Sequence, residues 1–280
     1  MYVLQPAAWT AAIDYLRVSH GAGEEGQKAE LEWYAVQREV ATKLDSHSTA
    51  APWRWMGYEG VTWNGVSVGR GRHGSLLQAS GGAAAQVFDA CVSWRGCSRL
   101  DLQITYWYEA DAPWIAEGVA DLASKARHRT GTRPYKVRFI DGKGDGDTAY
   151  LGSRGNDTKY LRVYDKWRES KGDDRWRFAW RWEVELTDGH AKYALSTLED
   201  WGQSEHSVAA LVSAYFEEKG ITIPDTGTVL PLPVNRVPRP ATDTERRLRW
   251  LREQVRPAID KICASGVSSD EVRRCLGLSR

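Results

Sequence analysis

Residues 99–106 read Arg99-Leu100-Asp101-Leu102-Gln103-Ile104-Thr105-Tyr106. Their alternation of polar and apolar side chains is the period-2 signature of a strand with one buried face. Two further stretches repeat it. In Tyr160–Lys166 the polar parity holds Tyr160, Arg162, Tyr164 and Lys166 against Leu161 and Val163. In Trp180–Leu186 it holds Arg181, Glu183 and Glu185 against Trp180, Trp182, Val184 and Leu186. Strands that are apolar on one side and charged on the other fit an antiparallel sheet with one face on a core and one toward solvent.

Working outward, Arg54–Tyr58, Gly60–Arg70 and Ser75–Ser80 are short, Gly-punctuated and rich in Trp and Val, as in a meander of strands. Tyr135–Ile140 and Thr148–Ser153 are further strand candidates, separated by the Gly/Asp-rich turn Asp141–Asp147, and Arg175–Leu186 reads as one long alternating strand. The chain opens with Ala7–Val18. Helical spacing predicts an amphipathic segment at Glu24–Leu44 and helices at Ala83–Ala90, Pro113–His128, Ala191–Glu199 and Ser207–Lys219. Five of the ten prolines fall between Ile223 and Pro240, which reads as a linker or extended arm. Beyond it, Asp243–Val255, Pro257–Ala264 and Asp270–Leu276 read as helices, the last capped by Ser269. The expected fold class is α+β: an antiparallel-sheet domain with flanking helices over residues 1–222, a proline-rich linker at 223–240, and a basic helical unit at 241–280.

With 280 residues, 42% hydrophobic and 27% charged, the chain has ordinary globular composition. No apolar run approaches the roughly 18 residues of a membrane span, and the N-terminus lacks the layout of a signal peptide. Four cysteines without a CxxC pair predict inert thiols in a reducing, bacterial cytoplasm. The net charge of +1 conceals blocks of −5 (residues 1–124), +6 (125–185), −5 (186–235) and +5 (236–280). Two basic segments of this kind offer two places for a polyanion. There is no P-loop and no His-x-His pair, which argues against ATP hydrolysis and against a histidine-cluster metal site. His190 reads as a lone surface histidine.

If the three alternating strands share a sheet, its polar face gathers carboxylates, cations and tyrosines. Carboxylates are hard donors for Mg²⁺ or Mn²⁺. Arg and Lys hold the charge that builds on a phosphoryl group in the transition state. A tyrosine beside such cations is expected to ionise more readily than its free pKa of about 10 implies, and to attack phosphorus. Ordinary cross-strand ion pairs on a solvated face produce the same pattern without chemistry.

One ordered series goes further. Tyr150-Leu151-Gly152-Ser153-Arg154, Leu161-Arg162-Val163-Tyr164-Asp165-Lys166 and Arg181-Trp182-Glu183-Val184-Glu185-Leu186 resemble the signature of the trans-acting replication initiation factors. These are rolling-circle initiators of certain plasmids, integrative elements and filamentous phages. Arg99–Gln103 resembles the family's acidic strand and Asp14-Tyr15-Leu16-Arg17 its opening, so the resemblance spans roughly residues 10 to 220. It implies a sheet-based DNA-nicking domain, a covalent 5′-phosphotyrosine intermediate and a free 3′-OH that primes synthesis. Tyr164 is then the nucleophile, with Tyr150 and Tyr160 as nearby alternatives. Asp101 and Glu183 are the implied ligands of Mg²⁺ or Mn²⁺, with Glu185 the next choice. Arg162, Lys166 and Arg181 hold phosphates, joined by Arg154 from its turn.

Trp167 and Trp176, near strand ends, are candidate platforms for base stacking. Gly69–Gly74, with Arg70 and Arg72, reads as a hairpin turn more readily than as a phosphate cradle. Arg246, Arg247, Arg249, Arg273 and Arg274 of the tail are candidate contacts to origin DNA. The expected partners are DNA, as replication origin and as single-stranded nick site, with a host helicase and a second copy of the chain as candidates, and no membrane. A non-catalytic DNA-binding regulator on the same fold and a water-using nuclease are the competing functions.

Overall fold

The computed structural model describes residues 6–21, 51–72, 74–92, 96–125, 136–143, 145–154, 157–224, 251 and 255–275. The predicted segments Glu24–Leu44 and Asp243–Val255 fall outside the described residues, apart from 251 and 255, as does most of the linker. Arg246, Arg247 and Arg249 lie there too.

Ten strands are described: β1 (Ala8–Gly21), β2 (Ala51–Trp55), β3 (Tyr58–Trp63), β4 (Val66–Gly71), β5 (Gly74–Ser80), β6 (Cys97–Trp107), β7 (Val137–Ile140), β8 (Thr148–Leu151), β9 (Lys159–Asp165) and β10 (Ala179–Thr187). They form one sheet in the order β2-β3-β4-β5-β1-β6-β10-β9-β8-β7, antiparallel at every pair. The fold is therefore α+β, built on a large antiparallel sheet.

The apolar parities meet a helical layer. Helices α1 (Gly82–Val92), α2 (Trp114–Lys125), α4 (Asp188–Trp201) and α5 (Glu205–Glu218) pack against the sheet. Leu100, Leu102, Ile104, Leu161, Val163, Val184 and Leu186 are completely buried in one core with Leu198, Leu211, Val212 and Phe216 of the helices. Trp182 meets Phe216 edge-on, with ring centroids 5.1 Å apart. Burial of each such large side chain contributes about 1.5–3 kcal/mol, so the parity that defines the strands also anchors them. Among the described residues no helix is long and apolar enough to cross a membrane.

β1 sits at the centre of the sheet, between β5 and β6. Its buried residues are Ala11 and Ile13, then Leu16 and Val18. The parity flips because the register slips at Asp14, between the pairs Ile13–Leu102 and Tyr15–Asp101. The predicted Gly60–Arg70 strand is two strands, split by Asn64 and Gly65 at φ of 44° and 79°. Positive φ at both central residues is the geometry of a tight hairpin turn. The predicted strand Arg175–Leu186 begins only at Ala179. Before it, Asp173 Oδ1 accepts from the Arg175 N–H and caps a single turn at Asp174–Trp176.

The chain divides into two compact units, residues 1–237 and 238–280. In the second, α6 (Arg256–Ala264) carries Pro257 in its first turn, where a missing N–H costs no hydrogen bond. α7 (Ser269–Cys275) starts one residue earlier than predicted, and its cap moves with it: the Glu271 N–H donates to Ser268 Oγ, 3.2 Å. Arg273 and Arg274 lie on α7, the latter exposed.

Candidate active site on the polar face of the sheet

Strand register arranges the polar residues in lateral rows. One row runs Tyr15, Asp101, Glu185, Tyr160; the next runs Gln103, Glu183, Arg162, Tyr150; the third runs Thr105, Arg181, Tyr164, Thr148. Asp101, Glu183, Glu185, Arg162, Tyr164 and Arg181 therefore share one face, opposite the helices.

The side chains interlock. The Tyr164 hydroxyl donates to Glu183 Oε2 at 3.4 Å, and the Arg162 guanidinium reaches the same carboxylate at 2.6 Å while lying 4.9 Å over the Tyr164 ring. Arg99 grips Asp101 through two hydrogen bonds, at 2.8 and 2.5 Å, and reaches Glu185 at 3.0 Å. Arg154, from the turn after β8, also bonds Glu185, at 2.9 Å. Arg181 donates to Thr105 Oγ1 at 3.2 Å and faces Asp14 at 3.6 Å. Thr105 shares the polar parity of β6, whereas Asp14 and the Tyr15 ring beneath Arg99, 4.6 Å away, are site neighbours that strand parity does not reveal. The slip at Asp14 hides both.

Three placements depart from expectation. Lys166 does not continue β9. Asp165 Oδ1 accepts from the Arg168 N–H at 2.9 Å and caps a short helix, α3 (Lys166–Glu169). Lys166 pairs with Glu169 at 2.6 Å and stands 5.5 Å over the Trp176 ring. The expectation that neighbouring cations make Tyr164 more acidic is overturned: burial raises its pKa, Glu183 adds to the rise, and Arg181 and Arg162 only partly oppose it. His190 is neither near this face nor on the surface. It is buried in α4 with Nδ1 3.3 Å from the Tyr215 hydroxyl of α5, and burial lowers its pKa to about 4.

Trp167 is half-buried, edge-on to Phe178, and its buried Nε1 has no hydrogen-bond partner. Trp176 stacks on Trp107 with centroids 5.7 Å apart, and Arg181 lies 5.2 Å over it. The Gly69–Gly74 segment forms the β4–β5 hairpin.

Asp101 and Glu183 are almost wholly buried. Burial pushes the Asp101 carboxyl up to about 7, with Glu183 and Glu185 adding to the rise against Arg99. Glu183 is raised as well, by burial first, despite Arg162. Clustered hard carboxylates whose charge is this poorly solvated suit a divalent cation, which relieves both penalties. Among the described residues no three acidic, histidine or cysteine side chains form a ready-made cage; Arg99, Arg154 and Arg162 occupy the carboxylates instead.

A search of curated proteins finds no match. Among solved structures the fold resembles a rolling-circle replication initiator protein from Geobacillus stearothermophilus, with a TM-score of 0.53 at 15% identity, covering 82% of this chain and 92% of that one. The family model for replication initiation factors matches residues 116–274, a span that starts later than the resemblance implied and runs further toward the C-terminus. It takes in β7–β10 with Tyr164, Glu183 and Glu185, and leaves Asp101 and Asp14–Arg17 outside. Because that match covers more than half of the chain, this protein belongs to the replication initiation factor family.

Proposed function

We propose that the chain nicks one strand of origin DNA through Tyr164 and so initiates rolling-circle replication. The observation that carries this reading is the Tyr164 hydroxyl held on Glu183, within a face that also presents Arg162 and Arg181.

The chemistry follows from those contacts. Arg162 and Arg181 hold the phosphate over the β9–β10 pair, and Lys166 and Arg154 meet the flanking backbone from either end of β9. The raised pKa keeps Tyr164 protonated before attack, so its proton must leave as the bond forms. Glu183, the acceptor already in place, takes it. The tyrosine oxygen bonds to phosphorus, the bond from phosphorus to the 3′ oxygen breaks, and that oxygen leaves as an alkoxide that takes a proton from water to become the free 3′-OH. Asp101 and Glu183, with Glu185, would hold Mg²⁺ or Mn²⁺, which supplies polarisation of the phosphoryl oxygens. Arg99 shields Asp101 and Glu185 until a cation competes for them. Origin duplex, the single-stranded nick site, a host helicase and a second copy of the chain are the partners of this reading.

Incubation with a supercoiled plasmid carrying the cognate origin, with Mg²⁺ or Mn²⁺, tests it. Open-circular DNA with protein bound covalently to the 5′ phosphate is expected. Open circles without adduct would point to water as nucleophile, and binding without nicking to a regulator.

A further inference from the structure

The first four strands after β1 build a second feature on the same face. The β2–β5 meander is not flat. Cα atoms of β2 approach within 8 Å of β4, closer than the roughly 9.6 Å that two strand steps span in a flat sheet. The Arg17 guanidinium of β1 lies 5.3 Å from the Trp55 ring of β2, although four strand steps, about 19 Å, separate the two backbones. Register puts Trp53, Trp55, Gly60, Gly69, Arg17 and Tyr15 on the polar parity of the sheet. The concave side is therefore the one that carries the candidate site.

Glycine makes the curl possible. Gly60 pairs with Gly69, and a Cβ at Gly60 would collide with the Val68 carbonyl oxygen. A Cβ at Gly69 would come 2.8 Å from the Trp53 ring, which occupies the place such a side chain would take. Trp53 and Trp55 are half-buried and near-parallel, with centroids 6.4 Å apart. Arg17 is steadied by its bond to Ser98 Oγ at 3.1 Å. The result is a curved trough in which the Trp53 indole covers the glycine pair and Trp55 stands beside one guanidinium. It runs into the candidate site through Tyr15, whose ring faces Arg99.

We infer that this trough seats single-stranded DNA flanking the nick, with Trp55 stacking on a base and Arg17 meeting the backbone. The inference rests on the proposed nicking function. Aromatic planes interleaved with guanidinium groups are the chemistry of sequence-tolerant single-strand binding. The indoles and the guanidinium share this parity, and the ion pair Arg54–Glu59 occupies the opposite one.

The test is fluorescence anisotropy of the full chain with a labelled dT20 and with a 20-bp duplex. Trp55→Ala is expected to weaken dT20 binding about five- to one-hundred-fold, the range of one stacked base, and to leave the duplex unaffected. Trp55→Phe retains most of the affinity, and Arg17→Gln flattens the salt dependence by about 0.7 in slope. Wild-type affinity for dT20 in Trp55→Ala overturns the inference, as does equal loss on duplex or an equal defect in Trp55→Phe. Plasmid nicking by wild type is measured alongside. If wild type nicks and Trp55→Ala binds dT20 normally, only the trough fails. If the dT20 results hold and Tyr164→Phe still forms nicks, the trough stands and the tyrosine mechanism falls.

Discussion

Tyr164 and Arg162 converge on a single carboxylate: the phenol donates to Glu183 Oε2 and the guanidinium holds Glu183 while covering the phenol ring. Acid, base and cation are thus one contact cluster.

Tyr164→Phe removes one oxygen and almost no packing volume. Nicking and the covalent adduct should both vanish, while DNA affinity and the unfolding midpoint stay within error of wild type. Tyr150 and Tyr160 stack on each other, 5.8 Å between centroids, away from the Tyr164–Glu183 contact. Tyr150→Phe and Tyr160→Phe should therefore still form adduct. Adduct in Tyr164→Phe but not in one of those two would move the nucleophile without changing the mechanism.

Asp101→Asn preserves shape and one acceptor for Arg99 but removes the charge that a cation needs. Metal-dependent nicking should fall by at least about a hundredfold. Binding to origin DNA should change less than about threefold, since phosphate contacts come from Arg and Lys. Comparable loss of both, measured by gel shift beside plasmid nicking, would remove Asp101 from the metal site.

His190 sets a pH dependence of stability. Its pKa is about 4 in the folded chain and about 6.5 in the unfolded one. Between these values the unfolded chain takes up a proton that the folded chain refuses. The stabilisation is complete above pH 6.5 and drains away as pH falls toward 4, by about 3 kcal/mol at most. Asp101 and Glu183, whose carboxyls are raised, act in the opposite sense, so the difference between two proteins is what reads His190: between pH 7 and pH 4.5 the urea midpoint of His190→Gln should fall less, or rise more, than that of wild type. Parallel curves for the two proteins would refute it.

Deleting residues 241–280 removes most of the second unit and a block carrying Arg246, Arg247, Arg249, Arg273 and Arg274. Discrimination between origin and non-origin duplex should drop at least about tenfold, while cleavage of a single-stranded nick-site oligonucleotide changes little. Equal loss of both activities would show that the tail is not a separable recognition unit.

Much of the sheet is written in local alternation. The alternation holds over 99–106, 160–164 and 180–186 of β6, β9 and β10, so their shared polar face is legible in the amino-acid order alone. β1 is not, because one slipped residue at Asp14 moves Leu16 and Val18 onto the other parity and erases the period. Lys166 and Arg175–Phe178 look like strand for a related reason: Asp165 and Asp173 cap short turns, and a cap hydrogen bond does not alter the alternation. The pairing of each arginine with each carboxylate depends on cross-strand register, which no single strand encodes. The rise in the Tyr164 pKa is hidden for the same reason: neighbouring cations can be read along the chain, but the depth of burial cannot.

β1 also has a place in the timetable of synthesis. It leaves the ribosome before the other strands described, yet its partners follow much later, since Leu16 pairs with Leu100 and Val18 with Leu77. At ordinary elongation speeds the strand waits on the order of ten seconds for β6. Both edges of this ribbon stay unpaired until β5 follows, and one of them until β6, the state most prone to pairing with the wrong neighbour. Slow stretches of the message between β1 and β6 would lengthen that exposure, so recoding them should govern how much protein is recovered in native form.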